Sequence, residues 1–447
     1  ALNPDARVAT PNMDSLARDG MAFVDAHSNS AVCTPTRYGV LTGRYAFRTT
    51  LKKGVLGGYS PPLIEAGRLT VPQLLKERGY ATACIGKWHL GLGWGLKDPA
   101  KKSNEGNIDF TKPVTVGPHT VGFDYSFIIP ASLDMDPYVY IENGKVAEQP
   151  TGTIPASPRP AFWRGGPIAP SFKHETVLLT FTERAEKYIA ERAAPAAGKR
   201  QPFFLYLPLP SPHTPHVPRP EFRGKSKAGN YGDFVQETDW AVGRVLEALK
   251  RNNVDRETLV ILTSDNGAHA EPIQKELAGH AANGSWRGQK SDAWDGGHHV
   301  PFLARWPGVT PAGSRCPQTV CLTDLMATVA EVTGGKLPAD AGEDSVSLLP
   351  LLAGKVDAPT REATVHHSID GSFAIRKGKW KLIEAKGSGG WSLPAPKAKD
   401  LPPVQLYDMQ ADPAETKNVQ AENTAVVAEL TALLEKYKAE GRSVPKP

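Results

Sequence analysis

Cys33-Thr34-Pro35-Thr36-Arg37, followed by Tyr38 and then by Leu41-Thr42-Gly43-Arg44, is the stretch around which this 447-residue chain is organised. Pro35 suits the first position of a helix, where a missing N–H costs nothing. Cys33 is therefore expected at a helix N-terminus, where unpaired backbone N–H groups and the helix dipole favour an anion. Arg37 adds a permanent positive charge within about one turn. The pattern describes a nucleophile placed in an anion hole.

Working outward, the composition sets the frame. Apolar residues make up 40% of the chain, enough for a packed core, and the formal charge is +5. That modest excess, without a long Lys/Arg block, argues against a nucleic-acid binder and suits an anionic substrate. No apolar run is long enough to cross a membrane as a helix. The four cysteines are Cys33, Cys84, Cys316 and Cys321. None forms a Cys-x-x-Cys metal pair. Cys84 lies in an apolar run and reads as inert core. Cys316 and Cys321 can pair or both be free, and free is favoured.

Helical patterns alternate with short, unbroken apolar runs. Thr10-Pro11 and Thr70-Val71-Pro72 read as capped helix starts, closed by Gly20 and Gly79. Helices are expected near residues 175–192, 231–250 and 324–332, and strands near 21–26, 80–87, 203–207, 259–263 and 300–306. Residues 93–170, rich in Gly and Pro, read as insertions and loops. The expected class is α/β, a large mostly parallel sheet sandwiched by helices. Near Asp357-Ala358-Pro359 the pattern changes to a β-hairpin across Lys377-Gly378, a flexible Gly387-Ser388-Gly389-Gly390 loop, a strand at 406–409 and a helix at 421–440. Two domains are expected: 1–358, catalytic, and 359–447, a smaller antiparallel sheet with a packed helix.

The Cys-x-Pro-x-Arg and Leu-Thr-Gly-Arg pair closely resembles the signature of type I sulfatases, arylsulfatase-like members of the alkaline phosphatase superfamily. In that family the cysteine becomes formylglycine, whose hydrated aldehyde carries two hydroxyls on one carbon. One attacks sulfur, and the other, once deprotonated, expels sulfate. Further segments carry the resemblance across nearly the whole chain. Gly86-Lys87-Trp88-His89-Leu90-Gly91 implies that Lys87 steadies the formylglycine and the sulfate, and that His89 takes a proton in the release step. Alternation along a strand puts Lys87 and His89 on one face. Pro212-His213-Thr214-Pro215 implies that His213 binds sulfate and protonates the leaving oxygen. Thr263-Ser264-Asp265-Asn266-Gly267 implies metal ligands at Asp265 and Asn266, for Ca2+ or Mg2+. Arg287-Gly288-Gln289-Lys290 implies a sulfate contact from Lys290. Arg37, Lys87 and Lys290 then form the cationic set.

Two departures stand out. His299 in Gly296-Gly297-His298-His299-Val300-Pro301 replaces the family's arginine, a fixed charge, with a pH-dependent one. It bears either on a structural ion pair or on a substrate contact, and a zinc site at His298 and His299 would need further ligands. The family's first strand also ends in two adjacent aspartates that ligate the metal. No Asp-Asp pair occurs here, so a first strand preceding Ala1 is expected to be missing from the catalytic domain, which would weaken metal binding.

The resemblance implies a hydrolase of sulfate monoesters, with a sulfated carbohydrate or an aryl sulfate as substrate. Trp94, Trp163 and Trp391 are candidates for a sugar-binding rim. It also implies a formylglycine-generating enzyme acting on the unfolded chain, and export to a bacterial periplasm or the medium. The alternatives are a phosphonate monoester or phosphodiester hydrolase of the same superfamily, and a truncated, non-catalytic homologue that binds sulfated ligands.

Overall fold

The computed structural model describes residues 7–159, 161–194 and 200–446. The chain forms two compact units, each assembled from separated segments. The first comprises Ala1–Ser15, Leu56–Thr258 and Lys275–His280; the second comprises Leu16–Val55, Leu259–Gln274 and Ala281–Pro447.

The first unit is built around the strand Ala81–Lys87, buried at every position. Two parallel strands flank it, Tyr125–Ile129 and Phe203–Tyr206. The short antiparallel strands Ile141–Glu142 and Lys145–Val146 extend the sheet beyond Tyr125–Ile129. Helices Val71–Glu77 and Val177–Ala193 pack beside the central strand, and Gly229–Arg251 packs on Val177–Ala193. The expected Thr70 cap is present, its Oγ1 accepting the Gln73 N–H at 3.3 Å. Tyr125–Ile129 falls inside the Gly/Pro-rich stretch read as loop. Its register sets Ile129 beside Lys87, which fixes where the chain emerges at Ser132.

The second unit holds a sheet in the order Val260–Thr263, Phe302–Arg305, Met21–Phe23, Ser314–Cys316. The first two pairings are antiparallel and the last is parallel. Val260–Thr263 is its edge strand and is only partly covered. A four-stranded antiparallel sheet follows, Thr364–His367, Phe373–Lys377, Trp380–Ile383 and Gln405–Asp408 in sequence order. Alternation sorts its side chains. Val365, Ile375, Leu382 and Leu406 pack under helix Thr424–Glu440 through Leu430, Leu434 and Tyr437. Ala374, Ile383 and Tyr407 face the other way, onto Ala293 and Trp294.

The α/β class is as expected. The strands are shared between sheets, however, and many pairings are antiparallel. An unbroken apolar run reports that both faces of a strand are covered and carries no information on its direction. The Gly387–Gly390 loop, expected to be flexible, is buried and closed by hydrogen bonds. All four cysteines are buried, and none is in a disulfide.

Candidate active site

Helix Cys33–Thr42 begins at the cysteine itself. Val32, extended at φ −145° and ψ 161°, is its cap, so Pro35 takes the third helical position and not the first. The early helical N–H groups lack intrahelical partners anyway, and proline fits there equally well. The preceding loop folds back on the helix. Asn29 Nδ2 donates to Pro35 O at 2.9 Å, and Thr36 Oγ1 donates to Ser30 O at 3.0 Å. The helix ends at Gly43 with φ 63°, where a Cβ would lie 2.7 Å from Met326; only glycine satisfies both demands.

Arg37, 6% exposed, donates from Nε and Nη2 to Asp265 Oδ2 at 2.9 and 2.7 Å. Asn266 Nδ2 donates to Gly267 O, and its Oδ1 is buried without a hydrogen-bonding partner among the described residues. A carboxylate beside an orphaned amide oxygen fits a hard divalent cation. Gly267 holds this loop against the next one. A Cβ there would lie 1.8 Å from Gly296 O, and the Gly267 N–H donates to Gly297 O at 2.8 Å. The Lys290 N–H donates to Ala268 O at 3.0 Å, and the Ser291 N–H donates to Ala31 O at 2.8 Å. The second unit thus gathers Cys33, Arg37, Asp265, Asn266 and Lys290 on adjoining segments. Lys290 is 7% exposed, and none of the ion pairs among the described residues includes it.

The first unit carries Lys87, His89 and His213. Lys87, 2% exposed, donates from Nζ to Ser132 Oγ at 3.1 Å. Ser132 Oγ lies 3.2 Å from His213 Nδ1, so one hydroxyl links the lysine to the histidine. The same Nδ1 lies 2.8 Å from Thr214 O and 3.6 Å from Asp134, which pairs with Arg164. His89 departs from the expected strand geometry. The strand ends at Lys87, and His89 has φ 58°, a left-handed backbone for a non-glycine residue. Its direction is set by the contact of Nε2 with Leu56 O at 2.6 Å, not by alternation. A bond from Nε2–H to that carbonyl selects the tautomer with an accepting Nδ1. Sequence reasoning missed Ser132 and Asp134; the signal was their position just past the unrecognised strand Tyr125–Ile129.

His298 and His299 join a buried network in the second unit. Lys381 Nζ donates to Asp295 Oδ1 at 2.6 Å, forms an ion pair with Glu415 Oε1 at 2.7 Å, and lies 3.2 Å from His298 Nε2. His298 Nδ1 lies 3.0 Å from His27 Nδ1, and His27 Nε2 lies 2.9 Å from Asp25 Oδ1. His298 Nε2 also lies 3.1 Å from Ala293 O, so the lysine and a backbone carbonyl share one ring nitrogen. His299 Nδ1 meets Asp295 Oδ2 at 3.2 Å and Nε2 meets Val24 O at 3.1 Å. The histidine that replaces an arginine therefore sits in a structural pair with Asp295. Further ligand atoms do lie close by, since His27, His298 and His366, and likewise Asp25, His27 and His299, each have theirs within 4.8 Å of one another. The rings of His298 and His366 are nevertheless stacked at 8° and 4.1 Å, so their in-plane lone pairs run parallel and do not converge on one ion as zinc requires.

Burial pushes His27, His298 and His366 below the ordinary histidine range, and His367 down to about 4. These rings are held neutral in the fold, whereas the unfolded chain takes up their protons near pH 6.5. Stability is then complete above pH 6.5 and is lost as the pH falls toward the depressed folded values. The expected result is a melting temperature that drops steeply between pH 7 and 5, with a shallower drop in His366→Gln. Equal slopes in thermal melts of the two proteins would refute it.

A family model described as sulfatase matches residues 1–335, and one described as the C-terminal part of N-sulphoglucosamine sulphohydrolase matches residues 289–440. The chain is 34% identical to an N-acetylgalactosamine-6-O-sulfatase of Bacteroides thetaiotaomicron, over 97% of this chain and 89% of that protein. It is 31% identical to the steryl-sulfatase of Mus musculus, over 98% of this chain and 79% of that one. A solved structure described under metabolism of multiple glycosaminoglycans by Bacteroides thetaiotaomicron superposes with a TM-score of 0.85 at 32% identity, covering 97% and 95% of the two chains. Among the described residues no helix is long and apolar enough to cross a membrane.

Proposed function

This chain belongs to the sulfatase family, the hydrolases of sulfuric esters, and from that premise we propose that it removes sulfate from a sulfated carbohydrate through a formylglycine made from Cys33. The observation that carries the reading is Cys33 at the start of a buried helix, one turn from an arginine tied to Asp265. The similarity to a carbohydrate sulfatase over nearly the full chain supports the substrate class.

When present, the formylglycine supplies a hydroxyl that attacks sulfur and a second one whose deprotonation releases sulfate. The chain's own residues supply the rest. The family resemblance assigns the sulfate oxygens to Arg37, Lys87 and Lys290, cations suited to offset the charge that grows on the leaving oxygen. With His213 Nδ1 engaged by Thr214 O and Ser132, its imidazolium delivers a proton from Nε2 to that oxygen. Ser132 keeps Lys87 and the His213 ring at fixed orientations. His89, donating from Nε2 to Leu56 O, accepts a proton at Nδ1 in the release step. Calcium is the cation proposed for Asp265 and Asn266, where it would offset sulfate charge. A formylglycine-generating enzyme acting on the unfolded chain and an exported location follow from family resemblance.

Calcium is expected to raise the melting temperature of the wild-type protein, with magnesium weaker at the same concentration because it demands smaller, near-octahedral geometry. Asn266→Ala is expected to abolish the shift. An equal calcium shift in that variant, read by differential scanning fluorimetry, would remove Asn266 from the site. The function itself is tested by turnover of a panel of defined sulfated saccharides beside matched phosphonate monoesters. Hydrolysis of the phosphonates alone would favour the other branch of the superfamily.

A further inference from the structure

Of the three tryptophans considered for a sugar-binding rim, the structure removes one and covers another. Trp94 is buried, its Nε1 donating to Gly58 O. Trp163 is half-buried and stacks on His174 at 4.8 Å. Trp391 is 40% exposed, and it is anchored beside the residues assigned to sulfate. Its backbone N–H donates to Ser291 Oγ at 3.0 Å, and Ser291 follows Lys290. Its ring lies 4.5 Å from that of His269, tilted by 44°, and His269 follows the Asp265-Asn266 pair by three residues.

The loop that presents Trp391 is built to hold it still. The Ser388 N–H donates to Leu393 O at 2.8 Å, and Ser388 Oγ accepts from the N–H groups of Gly390 and Leu393. The Ala293 N–H donates to Ser388 O at 2.8 Å. Gly390 packs so closely on the 291–292 segment that a Cβ would lie 2.5 Å from Ser291 O. Exposing an indole forgoes the gain from burying it. An exposed indole on a braced loop beside an anion site has its ring face pre-set for a ligand, with little ordering left to oppose binding.

We propose that Trp391, with His269 at its edge, is the platform on which the ring of the sulfated sugar stacks. It makes Trp391 a specificity-determining residue for the reaction. The inference rests on the sulfatase reading of Lys290 and the Asp265-Asn266 loop. A pyranose offers one face of C–H groups, which packs on an indole while its hydroxyls stay at the rim. The contact area lost with the indole sets the expected size of the effect. Trp391→Ala is expected to raise KM for a sulfated monosaccharide about ten-fold or more, with a much smaller change in kcat. Trp391→Phe is expected to recover most of that loss. Inhibition by inorganic sulfate, which lacks a ring, is expected to keep its constant within about two-fold.

Saturation-transfer NMR adds a readout that needs no turnover. The ring C–H protons of the sulfated monosaccharide should receive saturation from the wild type and lose it in Trp391→Ala. Equal KM and equal transfer in the two proteins would overturn the platform while leaving the sulfatase reading intact. If no sulfate ester is turned over by the wild type, the sulfatase reading fails instead, and the NMR comparison alone decides the platform. Transfer to the sugar that is the same in both proteins, or missing in both, then rejects it.

Discussion

Cys33→Ser is expected to keep a cooperative thermal unfolding transition and to lose turnover of an aryl sulfate by roughly 10⁴-fold or more, the scale seen when a nucleophile is removed. The side chain is buried at the head of a packed helix, so exchanging sulfur for oxygen changes little volume. A serine hydroxyl can attack sulfur. It then has no second oxygen on the same carbon with which to expel the sulfate, so the enzyme stalls after one event. The measurement is steady-state kinetics beside peptide mass spectrometry around residue 33. The wild-type peptide should carry the converted residue, and peptides with Cys84, Cys316 and Cys321 should carry thiols. Near wild-type turnover by Cys33→Ser would end the formylglycine account.

The two histidines should fail in different ways. His213→Ala is expected to cost about 10²–10⁴-fold on alkyl sulfates, the range for general acid catalysis. On nitrophenyl sulfate, whose leaving group needs little protonation, the loss should be far smaller. His89→Ala is expected to release one equivalent of alcohol at close to the normal rate and then to slow, a burst that places the defect after the first bond breaks. Equal losses of His213→Ala across leaving groups would remove its assignment as the acid. A His89→Ala protein without a burst would put that residue in the first step instead.

The parts of this architecture readable in the sequence were those with local causes. The Thr70 cap, the Gly79 stop and the apolar stripe of Gly229–Arg251 each follow from residues within a turn or two. Motif spacing located the candidate site residues, because a nucleophile before a proline-bearing helix turn and a carboxylate beside an amide at a strand end are short-range patterns. What escaped depended on distant partners. Tyr125–Ile129 was hidden in a Gly/Pro-rich stretch, and Ser132 and Asp134 were hidden with it. The direction of His89 came from a carbonyl 33 residues away. The pairing of His299 with Asp295 could be suspected from their spacing of four. Its connection through Lys381, His298 and His27 to Asp25 could not, because those residues span most of the chain.

The discontinuous build of the second unit has a consequence for the timing of synthesis. The loop that leads into Cys33 closes against a strand made much later, with Ser30 Oγ donating to His367 O across 337 residues of sequence. Helix Cys33–Thr42 also packs on residues 322–332. Elongation proceeds at about 5–20 residues per second, so a nascent chain waits on the order of tens of seconds between the emergence of Cys33 and that of its packing partners. During this interval the cysteine segment lacks the Ser30–His367 contact and the packing of residues 322–332. If Cys33 is converted as proposed, the chain order would keep it open to an enzyme acting on the unfolded chain until the second unit is complete.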